Sequence, residues 1–411
     1  MPSNSASKMS NIDTTPQKIN DLLDRGVSEI ITRESVAKKL ASGKVLRIKH
    51  GVDPSGSELH LGHAAVYLKM RDLQELGHKI VFLVGGFTGR FGDPTQKLKA
   101  RVLKSREETA LAAQNYIKQI DNILDISDLE IRNNGEWYDN MSAEDLLRLI
   151  SNFTADQVLE RDMFQERKKR GEAIQLHEII YPILQGYDSV MLKSDLTIIG
   201  NDQIFNENFG RDLQKKNNQE PQDIVAVKIL VGLDGQQKMG KSLNNYISLN
   251  DSASDKFGKI MSLPDSLIID YFTLLTRRPL TEIKDMSVAL SENSINPRDL
   301  KAELGKEIVS FFHSANEAGV AAKDFENTFS KKEAPQDIGE VATKKGEYTL
   351  FDLVNLSGLA SSKTEARRLI EDGAVDVDGH TINSLHEKID LSRPIVLKVG
   401  KHRFAKIVPK K

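Results

Sequence analysis

Up to about residue 245, short apolar runs rich in β-branched side chains alternate with stretches whose apolar positions recur every three or four residues. Val45–Val52 reads as a strand, and Leu61–Leu76 carries helical periodicity and stops at Gly77. Lys79–Val84, Leu196–Ile199 and Ile224–Val231 repeat the strand signal. Such alternation predicts βαβ units and an α/β, Rossmann-like parallel sheet. Ligands of these sheets lie beyond the carboxyl ends of the strands, near a switch in strand order. Residues just after Val52, Val84 and Ile199 would share that edge. A helix over His177–Lys193 is expected to start near Pro182, and Gln165–Glu172 reads as a solvated helix face.

The pattern then changes. Asp251–Phe329 is mainly helical, with no clear strand, and the polar stretch 331–347 reads as a linker. Leu350–Leu356 and Lys363–Glu371 predict two short helices; Val375–Val377, the Asp378-Gly379 pair and Ile382 predict a hairpin. The expected division is a tail with a leading helix (1–34), a sheet domain (35–248), a helical domain (249–330), the linker (331–347) and a small α+β module (348–411). There is no internal repeat.

Composition narrows the class. The 411 residues exceed one ordinary domain, and 39% hydrophobic with 28% charged residues suits a globular chain. No apolar run is long enough to cross a bilayer, and residues 1–18 lack the apolar core of a signal peptide and read as a loose tail. Cysteine is absent, which excludes disulfides, thiolate metal sites and cysteine nucleophiles. A cytoplasmic location, without membrane contact, follows from these features. The net charge of −2 hides an asymmetry: Lys344–Lys411 holds 13 Lys and Arg against 9 Asp and Glu, the remainder 44 against 50. A basic end on an acidic body suits either a nucleic-acid contact or a solvated tail.

Two motifs carry candidate chemistry. Asp53-Pro54-Ser55-Gly56 followed by His60-Leu61-Gly62-His63 sits between a strand and a helix. There the helix N-terminus offers free N–H groups to an anion, Gly62 permits close approach, and the two histidines and Ser55 add donors. By itself the run fits a helix cap equally well. Lys238-Met239-Gly240-Lys241-Ser242 follows the turn-like Gly232–Gly235 segment. Two lysines on such a loop can close over a polyphosphate late in a reaction, although alone they fit an ordinary basic loop. On the predicted 177–193 helix, Tyr181, Gln185 and Asp188 share one face among Ile183, Leu184 and Val190, where polar side chains are unexpected.

Together these motifs resemble the HIGH-type and KMSKS-type signatures of class I aminoacyl-tRNA synthetases. Tyr-Pro-Ile-Leu-Gln-Gly-Tyr-Asp over 181–188 is similar to the tyrosine-binding helix of bacterial tyrosyl-tRNA synthetases. The resemblance extends to Gly86–Pro94, Gly200-Asn201-Asp202-Gln203 and a C-terminal module like that first named in ribosomal protein S-four, and covers roughly residues 35–411. It implies a tyrosine-tRNA ligase that uses L-tyrosine, ATP and tRNA(Tyr). The implied catalytic groups are His60, His63, Lys238 and Lys241. Asp53, Ser55, Gly62, Gly200, Asp202 and Ser242 join them in binding ATP. Thr88, Asp93, Asn134, Tyr181, Gln185, Asp188 and Gln203 would hold tyrosine, with Asp188 accepting from the phenol hydroxyl. Ser361, Ser362, Lys363, Arg367 and Arg368 would contact RNA. The resemblance further implies magnesium carried by ATP or pyrophosphate, no protein metal site, no permanently bound cofactor, and a homodimer formed through an insertion at about 125–169.

This sequence departs from the family pattern at three positions. Lys49 stands where some members place a substrate-contacting Tyr, as expected of a second bacterial subgroup, and leaves the phenol's second partner unassigned. Gly240 replaces the central Ser of KMSKS, which implies a more flexible loop, and Ile199 replaces a Gly beside the nucleotide. A tryptophan-specific relative, a silent RNA-binding relative and another HxGH-type nucleotidyltransferase are the rival readings; the tyrosine helix and the intact lysines argue against them.

Overall fold

The computed structural model describes residues 12–54, 58–94, 104–330, 338–400 and 403–410. The chain divides into two compact units, Met1–Ser252 with Lys259–Ile308, and Ala253–Gly258 with Val309–Lys411.

The first unit is built on a six-stranded sheet of β1 (Val27–Ile31), β2 (Arg47–Val52), β3 (Lys79–Val84), β4 (Glu130–Asn133), β5 (Leu196–Gly200) and β6 (Asp223–Val227), in the order β1-β6-β5-β2-β3-β4. All neighbours are parallel except β1 and β6. Both faces of β6, and nearly all of β3, are buried, as expected when helices cover a parallel sheet on both sides. The helix Leu61–Glu75 links β2 to β3 and turns Leu61, Ala64, Tyr67 and Leu68 inward. Each large side chain fully buried there contributes about 1.5–3 kcal/mol. From β2 the chain builds outward through β3 and β4, then crosses back to β5 on the other side. The β2–β5 pair is therefore the switch point, where a crevice opens beyond the strand ends.

Several expectations shift. The tail expected over 1–18 stops sooner, because Pro16 opens a helix to Asp24 that buries Ile19, Leu22 and Leu23. The helix expected to start near Pro182 runs Leu176–Leu192, with Pro182 inside it. Its first turn is closed by Gln175 N–H on Glu178 Oε2 at 2.8 Å, and apolar burial on both sides of Pro182 offsets the missing donor. The solvated face at 165–172 is interrupted: Arg167 turns inward and pairs with buried Glu178 at 2.8 Å. The run 224–231 leaves the sheet after Val227; Leu230 and Val231 instead pair with the lysine loop, Met239 N–H donating to Leu230 O at 2.9 Å.

The residues expected as one helical domain, 249–330, are divided between the units. Ile268–Leu275 and Leu280–Ser291 lie in the first, where Tyr271 donates its hydroxyl to Val231 O at 2.7 Å; Ala315–Ser330 lies in the second. The second unit also contains strands β7 (Glu340–Lys344), β8 (Glu347–Thr349), β9 (Val375–Val377), β10 (His380–Thr381), β11 (Lys388–Asp390), β12 (Ile395–Val399) and β13 (Arg403–Lys410). Part of the expected linker thus belongs to a sheet, since β7 pairs in parallel with β13, while 331–337 lies outside the described residues. The hairpin turn has positive φ at both Asp378 and Gly379, as an Asp-Gly type I′ turn requires. Leu353, Ala366, Ile370, Val375 and Leu397 form the core of this module. Among the described residues no helix is long and apolar enough to cross a membrane.

Candidate active site

A cavity of about 400 Å³ opens at the switch point between β2 and β5. All seven residues of the tyrosine set line it, and so do Asp53, His60, Gly62, His63, Gly200, Asp202 and Lys238 of the ATP set. Lys241 and Ser242 do not; Lys241 is drawn to Glu58 at 3.8 Å and Ser242 is exposed. Ser55 lies outside the described residues.

The deep end is organised by Asp188, buried on the Leu176–Leu192 helix. Trp137 donates its indole N–H to Asp188 Oδ1 at 3.0 Å, and Asn134 Nδ2 donates to Oδ2 at 3.3 Å. The orientation of the Asn134 amide is fixed from behind, because its oxygen accepts from the Phe87 N–H at 2.8 Å. Its NH2 also donates to Thr88 Oγ1 at 2.8 Å; Thr88 in turn donates to Asp53 Oδ1, and Tyr181 donates to Asp53 Oδ2, both at 2.7 Å. Burial raises the Asp188 carboxyl to about 7, against the pull of Lys49 and its hydrogen bonds. Burial and the facing carboxylates Asp53 and Asp93 hold the Tyr181 hydroxyl protonated.

The opposite wall is a second chain of amides. Gln185 Nε2 donates to Glu207 Oε1 at 2.9 Å and to Gln203 Oε1 at 3.3 Å, while its own oxygen accepts from Asn206 Nδ2 at 2.8 Å. Gln203 Nε2 reaches Asp93 Oδ2 at 2.8 Å. Two groups of carboxylates and amide oxygens therefore converge on the cavity, suited to a small ligand with a cationic group and a hydroxyl.

Toward the mouth the chemistry becomes phosphate-like. The His60 and His63 rings lie 3.9 Å apart between centroids. His60 N–H donates to His63 Nδ1 at 3.2 Å, which leaves the His63 proton on Nε2. Burial, with Lys241 and Lys238 nearby, lowers His60 to about 4, and burial holds His63 well below its usual range. Both imidazoles are neutral donors near pH 7. Gly62 has a tighter role than ligand approach alone: a Cβ there would meet His60 Nδ1 at 3.0 Å. Lys238 pairs with Asp202 at 3.4 Å across the mouth. Gly240 is extended, and its N–H donates to Asn245 Oδ1 at 2.8 Å, so its backbone would accept other residues. Ile199 lines the cavity beside Gly200, where its side chain takes up room.

Among the cavity residues not assigned from sequence, three carry charge or a titratable ring on the inner wall. Glu207 is almost fully buried, His50 is neutral with Nδ1 on Ile198 O at 2.8 Å, and Lys49 is paired with Glu207 at 2.7 Å. Their signal was a Lys-His pair inside a strand and a Glu on an apolar helix face. In the second unit, Ser362 caps the Lys363–Glu371 helix by accepting from Glu365 N–H at 3.1 Å, and Ser361 also bonds Glu365. Lys363, Arg367 and Arg368 are exposed along that helix.

Comparisons with known proteins identify the family. Residues 40–330 match the family model of tRNA synthetases class I (W and Y), and residues 349–393 match the S4 domain. The chain is 43% identical over 387 residues to the tyrosine–tRNA ligase of Idiomarina loihiensis, covering 94% of this chain and 96% of the relative. It is 42% identical over 390 residues to that of Francisella tularensis, covering 95% and 98%. The tyrosyl-tRNA synthetase of Archaeoglobus fulgidus, solved with L-tyrosine, superimposes with a TM-score of 0.62 at 25% identity, over 74% of this chain and 99% of that one.

Proposed function

The chain belongs to the class I tRNA synthetases of the tryptophan and tyrosine group, and from that premise we propose how its cavity joins L-tyrosine to tRNA(Tyr). Its activity is tyrosine–tRNA ligation at the expense of ATP. One observation carries the assignment of the site: Tyr181, Gln185 and Asp188, on one helix face, line the same cavity as His60, His63 and Lys238.

In this reading tyrosine enters phenol first. Asp188 accepts its hydroxyl, and the Asp53–Thr88–Tyr181 group with Asp93, Gln185 and Gln203 surrounds its ammonium. Phenylalanine would bury Asp188 without the third of its donors, which costs more than the hydrogen bond contributes. The nucleotide lies toward Gly200 and Asp202. The tyrosine carboxylate attacks the α-phosphorus, the bond to the β-phosphate oxygen breaks, and pyrophosphate leaves. His60 and His63 donate as neutral imidazoles, and Lys238 and Lys241 bring positive charge to the departing phosphates. No side chain forms a bond to substrate; the rate comes from positioning and charge stabilisation. Lys241 must leave Glu58 to act, so the loop closes during the step. The terminal ribose hydroxyl of the tRNA then attacks the tyrosyl carbonyl and AMP departs.

Magnesium travels on the ATP phosphates in this scheme; among the described residues no three His, Asp or Glu side chains are grouped to hold a metal ion. The protein acts in the cytoplasm, with no permanently bound cofactor. The C-terminal module, with Lys363, Arg367 and Arg368, contacts the tRNA backbone. A second copy covers the insertion at about 125–169, a reading supported by the exposed Leu147 there; sedimentation as an active monomer would contradict it. Tyrosine-dependent exchange of pyrophosphate into ATP, with phenylalanine and tryptophan as controls, tests the whole assignment. Exchange with tyrosine alone is expected, and none from folded protein would overturn it.

A further inference from the structure

Lys49 stands on β2, where its side chain is 1% exposed. Its ammonium donates to Glu207 Oε2 at 2.7 Å and to Ser189 Oγ at 2.6 Å. Glu207, on the Ile204–Lys216 helix, also accepts from Gln222 Nε2 at 2.8 Å and from Gln185. A buried ion pair is a weak source of stability, because desolvating both charges offsets their attraction and an apolar pair of equal volume often serves as well. Such a pair on the wall of an active cavity is more readily explained by what it does to a third charge.

That third charge is Asp188. It precedes Ser189 on the same helix and lines the same cavity as Lys49 and Glu207. The remaining groups around it are neutral: Asn134, Trp137 and Tyr138 from one segment, and Tyr181 from its own helix. Asp53 and Asp93 face Tyr181 rather than the Trp137 side. Among the groups that act on Asp188, Lys49 is the cation, and burial works against it. One buried ammonium therefore serves two carboxylates, and only one of them faces the substrate hydroxyl in the reading above.

We propose that Lys49 and Glu207 form a positioning pair that sets the charge on Asp188. Lys49 holds Asp188 as the carboxylate that accepts the tyrosine hydroxyl, and Glu207 determines how much of that positive charge Asp188 receives. The inference rests on Asp188 being the hydroxyl's acceptor. An ionised acceptor makes a hydrogen bond roughly twice as strong as a neutral one, so the pair governs tyrosine capture near neutral pH. It also supplies a purpose for Lys49 at the position where some family members place a substrate-contacting Tyr.

The test is the pH dependence of kcat/KM for tyrosine, measured by pyrophosphate exchange in the intact protein, for wild type, Lys49→Met and Glu207→Gln. In wild type, kcat/KM rises with pH as Asp188 ionises. Removing an adjacent opposite charge typically moves a carboxylate by about one to three pH units. Lys49→Met should therefore move the midpoint upward by about one unit or more, and kcat/KM near neutrality should fall roughly tenfold and recover in alkali. Glu207→Gln keeps the shape of the side chain but leaves Lys49 to Asp188 alone, so its midpoint should move downward. Opposite movements are the expected result, and damage to packing alone would not produce them. Midpoints that stay put, or move in the same direction, in variants that still exchange would overturn the inference. Should Lys49→Met not fold, Glu207→Gln decides by itself: a downward midpoint supports the pair, and an unmoved or upward one sinks it. Absence of exchange in wild type would instead strike the functional assignment.

Discussion

Replacing Asp188 by Asn tests tyrosine selection directly. Three donors converge on the carboxylate in the proposed complex: the Trp137 N–H at 3.0 Å, the Asn134 NH2 at 3.3 Å and the substrate hydroxyl. A carboxylate has lone pairs for all three, whereas an amide presents one oxygen and two hydrogens. In Asp188→Asn the tyrosine hydroxyl is the group that can turn round and accept, so the substrate still fits but loses its charge-assisted bond. Hydrogen bonds to charged groups are worth about 1.5–3 kcal/mol and neutral ones about 0.5–1.5, and the difference of about 1–1.5 kcal/mol converts to a KM for tyrosine higher by roughly 5- to 13-fold. Phenylalanine gains at the same time, since it no longer buries a carboxylate that lacks one of its three donors. The preference for tyrosine over phenylalanine should thus fall by at least the factor lost in tyrosine KM. Pyrophosphate exchange with each amino acid measures both. Stability supplies a control for folding. The carboxyl is raised from 3.8 to about 7 on folding, so its stabilising protonated form is complete below the lower value and lost as pH rises through the upper one. The Asn variant lacks that decline and should be no less stable than wild type above neutrality. An unchanged preference in a folded Asp188→Asn protein would refute the assignment of Asp188 to the phenol.

Other consequences concern the phosphates, the helix packing and the RNA module. Lys241→Ala should lower kcat for exchange by about 100- to 1000-fold, as loss of a transition-state donor does, with tyrosine KM little changed; equal losses in both would contradict the late closure of the loop. Gly186→Ala places a Cβ 2.7 Å from Gly210 N and 2.8 Å from the Phe209 carbonyl carbon. The Leu176–Leu192 and Ile204–Lys216 helices must then separate, which urea unfolding should register as about 1–3 kcal/mol of destabilisation; an unaltered midpoint would show that the helices have room to spare. Arg367→Ala should weaken tRNA binding and reduce its salt slope by about one while leaving pyrophosphate exchange intact. A salt slope equal to that of wild type would remove Arg367 from the RNA contact.

What could be read before folding depended on whether partners lie on one local element. Tyr181, Gln185 and Asp188 share a face of a single helix, so their spacing marked them as unexpected polar positions and the family resemblance gave them roles, even though the helix begins before Pro182 rather than at it. Strands β3 and β5 were legible because burial on both faces makes them almost continuously apolar. The β7 strand was not, because its residues alternate between exposed and half-buried and its hydrogen-bond partner is remote β13. Asn134 could be placed beside the tyrosine helix only by analogy, since its amide is aimed by Phe87 and Thr88, 47 and 46 residues away.

The same reasoning explains why the charge balance at the phenol end escaped a linear reading. Lys49 and Glu207 are 158 residues apart and Lys49 and Ser189 are 140 apart. In sequence, Lys49 is a cation next to Ile48 in a predicted strand, and Glu207 an anion between Phe205 and Phe209. Each alone would be costly to bury. Only the crossing of β2 beneath the two helices turns two local anomalies into one pair. That crossing needs close helix packing, and a Cβ at Gly186 would press on the backbone at Phe209 and Gly210, on the helix that carries Glu207. A side chain that violates its local pattern is therefore a signal with half its meaning missing, and the missing half is the position of the second violation. In this fold the two meet at the switch point of the sheet, beside the third charge, Asp188, which in the proposed complex accepts the substrate hydroxyl.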